Sequence, residues 1–159
     1  IYNGNNDEIK RHIRVCHDAI LAVAEYTAVG QSFSDLYAHA MKYFRKKSLK
    51  IGWMTTVHDP LQKINLGHTI PGSYKDVNFG NTFEEIRETI RTGRVYINSA
   101  ETFIIPETCA LTVETRLVDL EERLPNTLFH FIVTFSEGEK RILSNFDAIF
   151  RVVGMDYIL

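Results

Sequence analysis

Apolar residues in the first third of the chain recur every three or four positions, which is the spacing of one helix face. This pattern predicts an amphipathic helix over residues 7–29, and Gly30 is expected to end it in a left-handed conformation. Ser32 precedes Asp35 by three positions, as an N-cap precedes an acidic first turn, and predicts a second helix. That helix is expected to end in a basic cluster beginning at Arg45, so the chain opens with a helical hairpin.

The rest of the chain combines one short helix with extended segments. Thr82 and Glu85 have the spacing of a capping box, and the helix that they begin is expected to turn Phe83, Ile86 and Ile90 inward. Short runs of β-branched and alternating residues predict strands at 51–57, 64–70, 95–97, 110–118, 128–135, 140–143 and 149–153. A Ser-Glu-Gly-Glu sequence between two of these strands is typical of a hairpin turn.

These elements predict an α+β fold, in which a helical hairpin and a short helix pack on a curved, mostly antiparallel sheet. The sequence contains no internal repeat and no segment with the composition of a domain linker. Residues 1–159 are therefore expected to form a single domain.

The composition is that of an ordinary globular domain. Of the 159 residues, 45% are hydrophobic and 24% are charged, and the net charge is −2. This balance provides no overall basic field for nucleic acid or an anionic membrane, and no apolar run approaches the roughly 20 residues of a membrane span. Cys16 and Cys109 have apolar neighbours and are expected to be buried, reduced thiols of a cytoplasmic protein. Because the chain begins with Ile1 rather than Met, we expect it to lack its natural start.

Two residues are candidates for metal binding. His68 follows Gly67 in an extended, apolar-flanked stretch, where it could place a ring nitrogen on a metal or bond the backbone beside a turn. Glu114 lies in the middle of an apolar strand, which is costly unless the carboxylate is paired or bound to a cation. Arg116 lies two positions farther on the same strand face, so an ion pair and a metal ligand both explain Glu114.

Two further histidines are candidate ligands or general bases. His58 precedes an Asp-Pro pair, and His130 is surrounded by apolar residues in a predicted strand. Taken alone, each pattern favours a structural role. The common signatures of phosphate loops, dinucleotide sites, zinc helices and serine-nucleophile turns are absent from the sequence.

The order of the motifs resembles that of a known family. A helical hairpin is followed by a Gly-His segment, a Thr-x-Glu strand and a hairpin of the form Val-Thr-x-x-x-Gly. Here these are Gly67-His68, Thr112-Val113-Glu114 and residues 133–138. The arrangement resembles the second half of the pita-bread fold, which creatinase, methionine aminopeptidase and the proline-specific aminopeptidases and dipeptidases share. The resemblance implies that this chain is the C-terminal part of a longer peptidase-like domain.

Active members of that family bind two divalent metals (often Mn, Co, Zn or Fe) through two Asp, one His and two Glu, and the metals activate water for attack on a peptide bond. The resemblance implies that His68 is the His ligand, that Glu114 is the first Glu ligand, and that both face one cleft. The two Asp ligands precede the helical hairpin in the family and are absent from this chain. Lys75 replaces a second, substrate-contacting His, and residues 126–130 contain no acid for the last Glu ligand. We therefore expect an incomplete metal site, with no cofactor on this chain alone and a divalent metal only if the site is completed elsewhere.

Three functional hypotheses remain open. The preferred one is a peptidase-like domain that is non-catalytic or catalytically altered and binds a peptide or protein, with binding residues among His58, His130 and Arg116 and no catalytic residue assigned. The alternatives are a fragment of an active metal-dependent aminopeptidase or proline dipeptidase, and an unrelated α+β interaction module. Because the helices can cover only one sheet face, the other is expected to meet a second copy or the missing N-terminal half.

Overall fold

A computed structural model describes residues 1–52, 64–143 and 146–159 of the chain. The elements in chain order are α1 (Asp7–Tyr26), α2 (Phe33–Lys46), β1 (Leu49–Ile51), α3 (Phe83–Thr92), β2 (Cys109–Asp119), β3 (Thr127–Ser136), β4 (Glu139–Ile142), α4 (Asp147–Val152) and a 3-10 turn (Asp156–Ile158). This mixture of helices with an antiparallel sheet confirms the predicted α+β class.

The two long helices form for the local reasons that their sequence indicates. The side chain of Asn6 accepts hydrogen bonds from the first turn of α1, and Ser32 accepts one from the backbone N–H of Asp35 at 3.1 Å. α1 ends at Tyr26, three residues before the predicted end, and Gly30 has the positive φ of 81° in the connection rather than at the helix terminus. The predicted helical hairpin is confirmed.

The four strands form one antiparallel sheet in the order β1-β2-β3-β4. β2 and β3 pair over most of their length, and this register places Glu114 opposite His130. A tight turn joins β3 to β4, with positive φ at Glu137 (52°) and Gly138 (84°), as the sequence predicted for this hairpin. β1 covers only the start of the strand predicted at 51–57, and residues 53–63 lie outside the described part of the chain.

One face of the sheet packs against α1 and α2 to form the core. The buried residues of β2 and β3 on this face are Cys109, Leu111, Val113, Thr115, Leu117, Phe131, Val133 and Phe135. They meet helical side chains such as Ile20 and Phe44, which are also buried. The opposite face, called here the open face, carries Glu114 and His130, together with Leu128, whose side chain is 49% exposed. The predicted alternation along β2 is confirmed.

Two predicted strands exist only as hydrogen-bonded extended segments. Residues 66–70 lie beside β2, where the backbone N–H of Ile70 donates to Ala110 at 2.8 Å. Residues 95–97 lie along the other side of that segment, where the N–H of Ile97 donates to Gly67 at 2.9 Å. Each makes isolated bridges rather than a regular strand, so the residues predicted as strands at 64–70 and 95–97 are extended but do not form regular strands.

Two sequence predictions were wrong. Residues 149–153 do not form a strand, because α4 includes most of them. Phe146 and Phe150, four residues apart, lie on one side of this helix with 6.2 Å between their ring centroids. α3 begins at the predicted capping box but buries no residue, and Phe83 is 72% exposed. Its cap and an ion pair between Glu88 and Arg91 stabilise this helix locally without an apolar contact layer.

Among the described residues, no helix is both long and apolar enough to cross a membrane.

Candidate functional site

His68 is placed by the segment that runs beside β2. The N–H of Thr112 donates to the carbonyl of His68 at 2.8 Å, and the N–H of Glu114 donates to that of Leu66 at 2.6 Å. Between these bonds Gly67 has φ +133°, and a Cβ added there would lie 2.1 Å from the carbonyl oxygen of Thr112. Only glycine fits this close approach of the segment to the backbone of β2, and the approach brings His68 over the open face.

The ring of His68 is held by a hydrogen bond at Nδ1, whereas Nε2 faces Glu114 without a proton to donate. Nδ1 lies 2.9 Å from the carbonyl oxygen of Thr69, so Nδ1 carries the proton and donates it. Nε2 lies 3.5 Å from Oε1 of Glu114. The ring also meets that of Tyr96 edge-on, with 5.6 Å between centroids, and its side chain is only 13% exposed.

Glu114 lies between two imidazoles. Its Oε1 faces His68, whereas Oε2 lies 3.8 Å from Nδ1 of His130 across the strand pair. The hydroxyl of Thr112 is 3.4 Å from Oε1 and can donate to it. The carboxylate is 28% exposed and the His130 side chain 45% exposed, so the group is open to a ligand from the side of β3.

Burial sets the charge of this cluster. The low-dielectric surroundings of His68 lower the pKa of its ring, and the positive charge of Arg94 lowers it further. The hydrogen bond to Thr69 and the negative charge of Glu114 raise it, but the net direction is downward, so His68 is neutral at pH 7. Arg94 itself has a buried Nε that finds no hydrogen-bond partner among the residues that the structure describes. The site thus combines a neutral acceptor nitrogen, a carboxylate and a nearby cation.

The structure brings together three of the predicted site residues. His68, Glu114 and His130 meet on the open face, so the predicted approach of His68 and Glu114 is confirmed. Arg116 lies on the same face of β2, but no ion pair joins it to Glu114 in the described part of the chain. His58 lies outside the described residues.

Sequence reasoning missed three contributors. The sequence identifies Thr112 only as part of a motif, whereas its hydroxyl also accepts a hydrogen bond from the backbone N–H of His68 at 3.1 Å. Tyr96 and Arg94 reach the site from the segment paired with residues 66–70. Tyr96, which lies between Val95 and Ile97, was the available signal, but the partner of its segment could not be read from the sequence.

The two-metal arrangement that the resemblance implies does not fit these residues. It needs five side chains, of which this cluster supplies one His and one Glu in the implied positions. The two imidazoles flank different oxygens of Glu114 rather than converging on one point. Throughout residues 1–52, 64–143 and 146–159, no group of three His, Cys, Asp or Glu side chains is placed to hold a metal ion.

Neither cysteine adds a nucleophile to the site. Cys16 and Cys109 are free and buried, as the sequence predicted. Burial raises the pKa of Cys16 to about 12 and that of Cys109 to about 11, which keeps both thiols protonated.

Two solved structures that resemble this fold are peptidases. The X-Pro aminopeptidase of Thermotoga maritima MSB8 matches 90% of this chain and 33% of its own chain, with a TM-score of 0.56 and 18% identity. A dipeptidase of Pyrococcus horikoshii OT3 matches 88% of this chain and 32% of its own, with a TM-score of 0.55 and 16% identity. No protein-family model and no curated protein sequence matches the chain. The predicted resemblance to the pita-bread fold is thereby confirmed at the level of fold, over about a third of the length of these structures.

Proposed function

We propose that this chain is a peptidase-fold domain that binds a peptide or protein on its open face and does not cleave it by two-metal chemistry. The observation that carries the proposal is the environment of Glu114, because an imidazole faces each of its carboxylate oxygens. The residue opposite Glu114 on β3 is a base, His130, in a strand without acidic side chains. A carboxylate held in this way is an acceptor for a ligand rather than part of a metal cage.

The chemistry of the cluster indicates what the ligand offers. Nε2 of His68 and the oxygens of Glu114 are hydrogen-bond acceptors, and both face the partly exposed side of the site. An α-amino group of a peptide, with three donors and a positive charge, complements them. We therefore expect the N-terminus of the ligand to lie against Glu114, with His130 at the rim.

The chain covers 33% and 32% of the two peptidase chains that it matches. In keeping with this coverage, we propose that the chain is part of a longer peptidase-like domain. The same fact favours the alternative function, an active metal-dependent aminopeptidase or dipeptidase, because further ligands can belong to the rest of such a domain.

Calorimetry with the tripeptide Ala-Pro-Ala, in free and N-acetylated forms, tests the proposal. We expect the free form to bind, acetylation to weaken binding about tenfold or more, and chelators to have no effect. Glu114→Gln should weaken binding similarly, whereas Glu139→Gln, at a side chain that is 79% exposed on β4, should not. Incubation with Mn²⁺, Co²⁺ or Zn²⁺ followed by an amino-acid release assay is the counter-test. Metal-dependent cleavage that Glu114→Gln abolishes would overturn the proposal in favour of the enzyme.

A further inference from the structure

An apolar groove lies beside β3, at the sheet edge away from β2. Its volume is about 510 Å³. Ile9 and Ile13 of α1 form one wall, and Phe146 and Phe150 form another. The floor is the stretch of β3 that includes Leu128 and His130. This edge groove lies outside the cluster around Glu114, although His130 borders both.

Within the described part of the chain, the backbone of β3 has no strand partner along this groove. β4 pairs with β3 only over Val133–Ser136, and the N–H of Leu143 adds one bond to the carbonyl of Ile132 at 2.8 Å. Backbone N–H and C=O groups point to alternate edges along a strand, so those of Leu128 and His130 point the same way as those of Ile132. Among the described residues, no strand pairs with β3 at these two positions.

The pairing of β2 leads to the same conclusion independently. The N–H of Glu114 donates to Leu66, which lies on the side of β2 away from β3. Its register partner His130 therefore makes no backbone bonds to β2, because the two form a non-hydrogen-bonded pair. In residues 1–52, 64–143 and 146–159, no backbone group bonds the N–H or the C=O of His130, and both point toward the groove.

We propose that the edge groove binds an extended peptide segment, which adds a strand to β3 and places an apolar side chain between α1 and α4. Donors and acceptors repeated at every second residue match the backbone of a strand, and the apolar walls match one face of its side chains. The other side-chain face of the added strand would lie on the open face, beside His130. A second copy is the competing occupant, and the concentration dependence tested below distinguishes it.

This inference takes its ligand class from the proposed peptide-binding function, but it concerns a different surface. The proposed function and this inference can be refuted separately. Binding around Glu114 perturbs the ring of His68, whereas strand addition perturbs the backbone amides of Leu128 and His130. Amide hydrogen exchange by NMR on the full chain distinguishes them.

The probe is the peptide acetyl-Thr-Leu-Thr-Leu-Thr-amide, whose blocked ends remove the α-amino group that the other site is proposed to bind. In the free protein we expect fast exchange at Leu128 and His130 and slow exchange at Phe129, whose N–H points toward β2. Saturating peptide should slow the first two at least tenfold. Slow exchange at Leu128 and His130 without peptide, or no change with it, would overturn the proposal, and so would protection that grows with protein concentration alone.

Two N-methylated forms of the peptide provide a matched control. One is methylated at both Leu nitrogens and the other at the central and last Thr nitrogens, so each loses donors along one edge of the extended strand. We expect one form to bind about tenfold or more weakly and the other to bind like the parent. Equal affinities for the two forms would rule out strand pairing.

The groove walls provide the test on the protein. Phe146→Ser removes a wall side chain that is 41% exposed, and we expect it to weaken binding of the parent peptide at least threefold. Ile149→Ser changes a side chain of α4 that is 55% exposed and does not line the groove, and it should leave the affinity unchanged. If both variants bind like the unmodified chain, the apolar side chain is not held where we propose.

Discussion

Substitution of Gly67 by alanine tests how the site is assembled. The new Cβ would lie 2.1 Å from the carbonyl oxygen of Thr112, which is backbone and cannot turn away, at a φ of +133° that L-residues rarely adopt. The segment must separate from β2, breaking the bonds from Thr112 to His68 and from Glu114 to Leu66. Strain costs about 1–3 kcal/mol, and the two lost hydrogen bonds cost roughly 1–3 kcal/mol more.

Gly30→Ala is the matched control. Gly30 also has a positive φ, +81°, but a Cβ there meets nothing within 4 Å. Alanine at position 30 would have the strain of a left-handed residue but no contact like that between Cβ and Thr112. We therefore expect Gly67→Ala to lower the free energy of unfolding by about 1–3 kcal/mol more than Gly30→Ala. Urea unfolding followed by circular dichroism measures both. Equal losses would refute the idea that close backbone approach at Gly67 positions His68.

The other predictions concern charge and burial. Because the pKa of His68 is lowered, its neutral form contributes stability that is fully present above about pH 6.5 and is lost as the pH falls toward that lowered pKa. In urea unfolding at several pH values, His68→Gln should reduce this loss of unfolding free energy at acid pH. An unchanged pH dependence would assign the loss to other groups. Cys16 and Cys109, buried with raised pKa values, should not react with an aromatic disulfide reagent at pH 8 until the chain is unfolded; rapid labelling of the native protein would contradict their burial. The ammonium group of Lys140 donates to backbone carbonyls at the end of α1, with 2.9 Å between its Nζ and the carbonyl oxygen of Thr27, and the last turn of α1 has no basic residue of its own. Lys140→Met should therefore lower the free energy of unfolding by about 0.5–1.5 kcal/mol. Arg141→Met, at a neighbouring side chain that is 75% exposed, should cost much less, and similar losses would remove the capping explanation.

The parts of the fold that depend on local chemistry were predictable. Ser32 and the Thr82 capping box begin their helices as expected, and the alternation in β2 assigns Leu111 and Glu114 to opposite faces correctly. The segment at 149–153 was not predictable, because a short apolar run fits either a strand or a helix and its neighbours in the fold decide between them.

The candidate site was predictable in its residue types but not in its geometry. The cost of a carboxylate in an apolar strand identified Glu114, and the Gly-His pair identified His68. That His130 faces the same carboxylate depends on the β2–β3 register, which the connection between the strands sets. The expected alternative, pairing with Arg116, was wrong because two residues on the same strand face are farther apart than a directly opposite pair.

The pairing of the sheet also has a kinetic consequence. β2, β3 and β4 follow one another through short connections, so their pairing closes small loops, and Glu114 meets His130 as soon as this meander forms. His68 joins from farther away, since its bond to Thr112 spans 44 residues of chain. Contacts at that separation carry a larger loop-closure entropy and form late in folding. The segment that carries His68 is therefore expected to dock last and to open first, so that the site can come apart while the meander that carries Glu114 stays folded.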